Sequence, residues 1–130
     1  MKQKTILIID DSYTDRFIAT EIIKSCNSLC NIVEIDNAQK GLDFLSSSTL
    51  LSPIIIFLDI RMPIMDGFGF LKHFDSLPKT IKNFCRIYML SSSIDPSDFK
   101  RALDYNYVVD YLIKPPTVDS IQNIMKGNEN

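Results

Sequence analysis

Cysteine and histidine are scarce in this chain: three of the first and one of the second in 130 residues. An odd number of thiols at irregular spacing, Cys26, Cys30 and Cys85, does not make a disulfide framework. Cys26 and Cys30 can share a helix face, but no third or fourth soft ligand accompanies them, and His73 is the only histidine. Reduced, partly buried thiols are therefore expected rather than a soft-metal site. No charge of one sign dominates. Fourteen basic against 16 acidic residues give a net charge of -2, which favours neither nucleic acid nor an anionic membrane surface. Long apolar runs are absent too. Ile54–Leu58 is the longest, far short of the roughly 20 residues that span a bilayer. The start, Met1-Lys2-Gln3-Lys4, passes directly into a strand-like run and lacks the small-residue cleavage site of a signal peptide. A cytoplasmic location is the expectation.

What is present suits a globular protein. The chain is 45% hydrophobic, enough for a core, and its length suggests one domain over 1–130 with a polar tail from about 127. Strand-like runs rich in Ile, Val and Leu fall at 5–10, 31–35, 54–58, 86–90 and 108–112. Continuous apolar runs imply burial on both faces, as in a parallel sheet covered by helices. The segments between them carry helical spacing. Ile18, Ile22 and Ile23 mark the first, Leu42 and Leu45 the second, and Phe70, Leu71 and Phe74 the third. Phe99, Ala102 and Leu103 mark the fourth; Val118, Ile121, Ile124 and Met125 mark the fifth. Pro96 and Pro116 lie near helix starts, where a missing N–H costs little. The alternation predicts an α/β (βα)5 unit: a doubly wound, five-stranded parallel sheet of flavodoxin-like strand order 2-1-3-4-5.

In such a sheet ligands bind beyond the carboxyl ends of the strands, at the switch point flanked by the first and third. The first run ends in Asp10-Asp11 and the third in Asp59. Carboxylates gathered there raise each other's pKa unless a cation neutralises them, and a hard divalent cation such as Mg2+ takes oxygen ligands. The fourth run ends in Ser91-Ser92-Ser93 and the fifth in Ile113-Lys114-Pro115. A hydroxyl and an ammonium group thus join three carboxylates. A nucleophile, a metal site and charge-stabilising donors are the parts needed for phosphoryl transfer to an aspartate.

These residues resemble a known family. Asp10-Asp11-Ser12, Leu58-Asp59-Ile60-Arg61-Met62-Pro63, Met65-Asp66-Gly67, Leu90-Ser91-Ser92 and Lys114-Pro115 look like the receiver domain of two-component response regulators, in order and over nearly the whole chain. The resemblance implies roles. Asp59 is the phosphoacceptor. Asp11 and Asp59 ligate Mg2+ (or Mn2+) directly, with the Arg61 backbone carbonyl, and Asp10 holds it through water. Ser91 binds the phosphoryl group, Lys114 pairs with Asp59 and then with the phosphoryl group, and Tyr111 is the aromatic switch. The Lys114-Pro115 bond is expected to be cis, the isomer that only X-Pro adopts cheaply. The donor implied is a sensor histidine kinase or phosphotransfer protein, and the output a downstream protein target, with no nucleic acid and no membrane. The chain ends at Asn130, so no output domain is expected. Ser91 stands where threonine is also frequent, Pro116 where a bulky apolar residue is usual, and Asn106-Tyr107 where Gly-Ala is typical.

Blander readings are available for single residues. Acids such as Asp10-Asp11 suit a helix N-cap, Tyr111 suits a core position, and His73 an exposed helix position. A metal-dependent phosphatase with an aspartyl-phosphate intermediate is the rival enzyme. It requires an aspartate two residues after the nucleophile, where this chain has Arg61. A flavin module requires a Ser-, Thr- or Gly-rich loop after the first strand, where Asp10-Asp11 would repel phosphate.

Overall fold

The computed structural model describes residues 4–27, 29–47 and 52–127. Its elements run β1 (Thr5–Ile9), α1 (Tyr13–Cys26), β2 (Asn31–Ile35), α2 (Ala38–Ser47), β3 (Ile54–Leu58), α3 (Gly67–Asp75), α4 (Lys79–Lys82), β4 (Cys85–Ser91), α5 (Pro96–Leu103), β5 (Val108–Ile113) and α6 (Val118–Gly127). All strand pairs are parallel, in the order β2-β1-β3-β4-β5. The expected fold class holds. The single-turn α4 behind Pro78 is an addition, too short to show a hydrophobic period. Helix α6 continues through Gly127, the residue at which the polar tail is expected to begin; 128–130 lie outside the described residues.

The two faces of the sheet bury alternate strand residues. Leu7, Ile9, Ile56 and Leu58 point to one face and pack with Leu42 and Leu45 of α2 and with Phe70, Leu71 and Phe74 of α3. Ile6, Ile8, Ile55 and Phe57 point to the other, with Ile23 of α1 and Ile121, Ile124 and Met125 of α6. Every residue of β3 is buried, as its unbroken apolar run requires. The edge strand β2 is only partly covered. Three residues expected on inner helix faces are exposed instead: Ile18, Leu103 and Val118. Helix α1 turns Ala19, Thr20 and Ile23 inward, a face rotated by about one residue from the Ile18 reading. Tyr107, in the turn before β5, presents its ring edge to Phe74 at 5.3 Å between centroids. Its bulk therefore serves the core.

Polar residues begin the helices next to the strand ends. Ser12 caps α1 by accepting from the Asp15 amide at 3.2 Å, Asp66 caps α3 by accepting from Gly69 at 2.8 Å, and Asp95 caps α5 by accepting from Ser97 at 2.9 Å, with Pro96 following. Each such cap contributes about 1 kcal/mol. Together they fix where three helices depart from the rim that carries the acids. All three thiols are free. Cys26 closes α1 and Cys30 precedes β2, so they share no helix face. Among the described residues no helix is long and apolar enough to cross a membrane.

Candidate functional site

Register builds the site. Ile9 of β1 lies opposite both Ile35 of β2 and Leu58 of β3. The next residues are held at one level by continuing bonds: the Asp10 amide donates to Ile35 at 3.0 Å, and the Asp59 amide donates to Ile9 at 2.9 Å. Carboxylate oxygens of Asp10, Asp11 and Asp59 consequently lie within 4.8 Å of one another. Asp10 and Asp59 are buried and Asp11 is exposed. Three hard oxygen donors that close form a donor set suited to a small divalent cation with open positions for water.

Lys114 enters from the end of β5. Its amide donates to the Ser91 carbonyl at 2.9 Å, and the bond to Pro115 is cis, as expected. Its Nζ lies 2.7 Å from Asp10 Oδ2, 2.9 Å from Asp15 Oδ2 and 3.2 Å from Asp59 Oδ1. The expected partner, Asp59, is thus the most distant of three. Burial pulls the ammonium's pKa down, but hydrogen bonds to Asp10 and Asp15 and the charges of Asp59 and Asp10 outweigh it and hold Lys114 above the ordinary lysine range. Asp59 moves in the unusual direction for an acid. Burial first, and then the charge of Asp10, push its pKa up to about 6 against the opposing pull of Lys114.

The loop from Asp59 to Gly67 folds back on Asp59. The Gly67 amide donates to the Ile60 carbonyl at 2.7 Å. A Cβ at position 67 would overlap the carbonyl oxygen of Asp59 and come within 2.9 Å of Ile60 Cα, so only glycine fits. Arg61 is exposed and lines an open groove of about 480 Å³ with Met62, Asp66 and Arg101. Its side chain stands near Asp95, whose pKa is lowered first by its hydrogen bonds to Ser97. Ile64, fully exposed, takes φ 72°, a strained conformation for a β-branched residue.

Ser91 is buried, and its Oγ accepts the Ser93 amide at 3.1 Å. Ser93 is the centre of a small network. Its hydroxyl donates to Asp98 Oδ2 at 2.6 Å, and its carbonyl accepts the Tyr111 hydroxyl at 3.1 Å. The Tyr111 ring is half-buried and packs on Phe99 of α5, with centroids 4.2 Å apart. His73 is exposed on α3, an ordinary helix position.

The structure therefore brings Asp10, Asp11, Asp59 and Lys114 together, with Ser91 on the neighbouring strand end. It also adds two residues that sequence reasoning missed. Arg16 donates to the Asp10 carbonyl at 2.7 Å and to Glu34 at 3.3 Å, tying β1 to β2 at the rim. Asp15 joins Lys114. Both belong to the first turn of α1, and their place after the Ser12 cap was the available signal.

The family profile of the response regulator receiver domain matches residues 6–126. A protein-glutamate methylesterase/protein-glutamine glutaminase of Clostridium acetobutylicum is 30% identical over 117 residues, 88% of this chain and 32% of that protein. Two-component response regulator ORR11 of Oryza sativa subsp. japonica is 31% identical over 110 residues, 85% of this chain and 70% of that protein. The crystal structure of a response regulator receiver protein from Dyadobacter fermentans is 27% identical, covers 95% of this chain and 96% of its own, and superposes with a TM-score of 0.85. The chain belongs to the response regulator receiver domain family of two-component signalling. It spans about a third of the Clostridium relative, so the esterase activity in that name describes a longer protein.

Proposed function

We propose that this receiver accepts a phosphoryl group on Asp59 from the histidine of a sensor kinase or phosphotransfer protein and signals by changing a protein-binding surface. The observation that carries the reading is the ammonium of Lys114 set between the buried carboxylates of Asp10 and Asp59, at 2.7 and 3.2 Å. A raised pKa makes the Asp59 carboxylate a more basic nucleophile, and at neutral pH it is still largely ionised. An oxygen of Asp59 attacks phosphorus. The bond from phosphorus to the donor imidazole nitrogen breaks, and that nitrogen keeps the electron pair and takes up a proton. Lys114 and the Ser91 hydroxyl supply donors to the phosphoryl oxygens. Asp10, Asp11, Asp59 and the Arg61 carbonyl would hold Mg2+ or Mn2+. Bound there, the cation neutralises the gathered carboxylates and screens the charge of the transferring group.

Ser91 would leave the Ser93 amide to reach the phosphoryl group, and Ser93 carries the acceptor of Tyr111. That linkage supports Tyr111 as the switch and the face of α5, β5 and α6 as the output surface. The unit is read as a single cytoplasmic receiver, 1–130, that catalyses only its own phosphorylation and dephosphorylation. The phosphatase reading lacks its acid/base, because Arg61 occupies the required position. Acetyl phosphate with Mg2+ should add one phosphoryl group, EDTA should prevent it, and a generic phosphate ester should not be turned over. Catalytic turnover of the ester would favour the phosphatase instead.

A further inference from the structure

We infer that Asp15 is a positioning residue that holds Lys114 before phosphorylation and gives it up when the phosphoryl group arrives, so that its carboxylate restrains acceptance by the site; the inference rests on the function proposed above. A lysine ammonium has three N–H donors and no others. Here three carboxylates, Asp10, Asp15 and Asp59, lie within 3.2 Å of that nitrogen. A phosphoryl oxygen on Asp59 can take a donor from Lys114 only by displacing one of them. The three are unequal. The Asp10 side chain is 4% exposed, and its other oxygen already accepts the Ser12 amide at 2.9 Å. Losing the ammonium would leave a buried charge poorly compensated. Asp59 carries the incoming group, so the ammonium stays beside it. The Asp15 side chain is 38% exposed, and water replaces the ammonium there at small cost. Asp15 is the partner exchanged.

Two consequences follow from the charge. Asp15 offsets part of the Lys114 charge at this cluster of acids, and it adds a fourth negative charge where a dianionic donor must approach. Its carboxylate therefore slows acceptance and weakens retention of a phosphoryl-like anion. The Asp15 amide is also the donor to the Ser12 cap, so the carboxylate is presented from a fixed helix turn, beside the pocket lined by Ile18, Ser92, Pro115 and Pro116.

The test compares wild type, Asp15→Asn and Asp15→Glu in two assays at matched Mg2+: beryllofluoride affinity and the rate of labelling by acetyl phosphate. In the latter, the phosphorus–oxygen bond to acetate breaks and acetate leaves with the electron pair. Asp15→Asn should bind beryllofluoride tighter and label faster, each by roughly three- to tenfold. The gain should shrink at high ionic strength, and Asp15→Glu should behave like wild type. A merely structural role would not produce the salt dependence or the recovery by glutamate. Equal or slower labelling in Asp15→Asn, with the wild type active, overturns the inference. A wild type that takes neither beryllofluoride nor phosphoryl overturns the underlying functional reading instead.

Discussion

The hydroxyl of Tyr111 donates to the main-chain carbonyl of Ser93, 3.1 Å away, across the gap between β5 and the loop after β4. The same Ser93 donates its amide to Ser91, so one loop residue touches both the proposed phosphoryl sensor and the proposed switch. Tyr111→Phe removes the hydroxyl and leaves the ring on Phe99. One lost hydrogen bond at a half-buried position should cost about 1 kcal/mol, measured as a lower urea midpoint. In a structure with beryllofluoride, Ser91 Oγ should have left the Ser93 amide. If Ser91 and Tyr111 keep their rotamers with and without the mimic, this route of switching is wrong.

Stability without divalent cations should fall as pH rises through the range between 4 and 6. Asp59 in the folded chain keeps its proton up to about 6, whereas an unfolded aspartate loses it near 3.9. The folded state therefore binds more protons in that window, and its advantage is complete below the unfolded value and lost as pH passes the folded one. The slope from this group is about 1.4 kcal/mol per pH unit, on the order of 2–3 kcal/mol in all. Urea unfolding in EDTA should show the slope in the wild type and lose that component in Asp59→Asn. Parallel curves for the two proteins would place the proton elsewhere.

Mg2+ should stabilise the wild type, because a ligand of the folded state adds RT ln(1 + [L]/Kd), about 2.7 kcal/mol at a hundred times Kd. Asp11→Ala should lose this response yet be the more stable protein in EDTA, since one of three clustered charges is gone. Thermal melts with and without millimolar Mg2+ decide it: an unshifted wild-type melt speaks against the metal site.

Ile64 should be replaceable at a profit. It is fully exposed with φ 72°, so it adds no packing, and its branched side chain opposes the left-handed backbone. Asparagine visits that region readily. Ile64→Asn should raise the unfolding free energy by about 1 kcal/mol, and a loss of stability in denaturant titration would mean that the loop holds another conformation.

The sheet was legible because each strand is an apolar run that ends in chemistry. Asp10, Asp59, Ser91 and Lys114 each stand at or just beyond a strand terminus, and parallel order alone places them on one edge. The helix faces were less legible. Ile18 carries the apolar signal of its segment yet lies outward, because Ala19 and Thr20 complete the stripe with Ile23, and small or polar residues are weak hydrophobic signals. Asp15 was missed for a different reason. An acid in the first turn of a helix is already explained by the helix dipole, so nothing in its spacing demanded Lys114. Pairing residues 99 positions apart requires the start of α1 and the end of β5 to meet at one rim of the sheet, which only the folded chain supplies. Arg16 reaches the Asp10 carbonyl locally, back across the turn from β1 into α1.

The central claim is that one carboxylate, Asp59, receives the phosphoryl group. The direct measurement is labelling with acetyl phosphate and Mg2+, followed by borohydride reduction of the acyl phosphate and peptide mapping. The account predicts a single modified residue, Asp59, and no label in Asp59→Asn. Undiminished labelling in that variant, or a map that places the group on Asp10, Asp11 or Asp15, would contradict it.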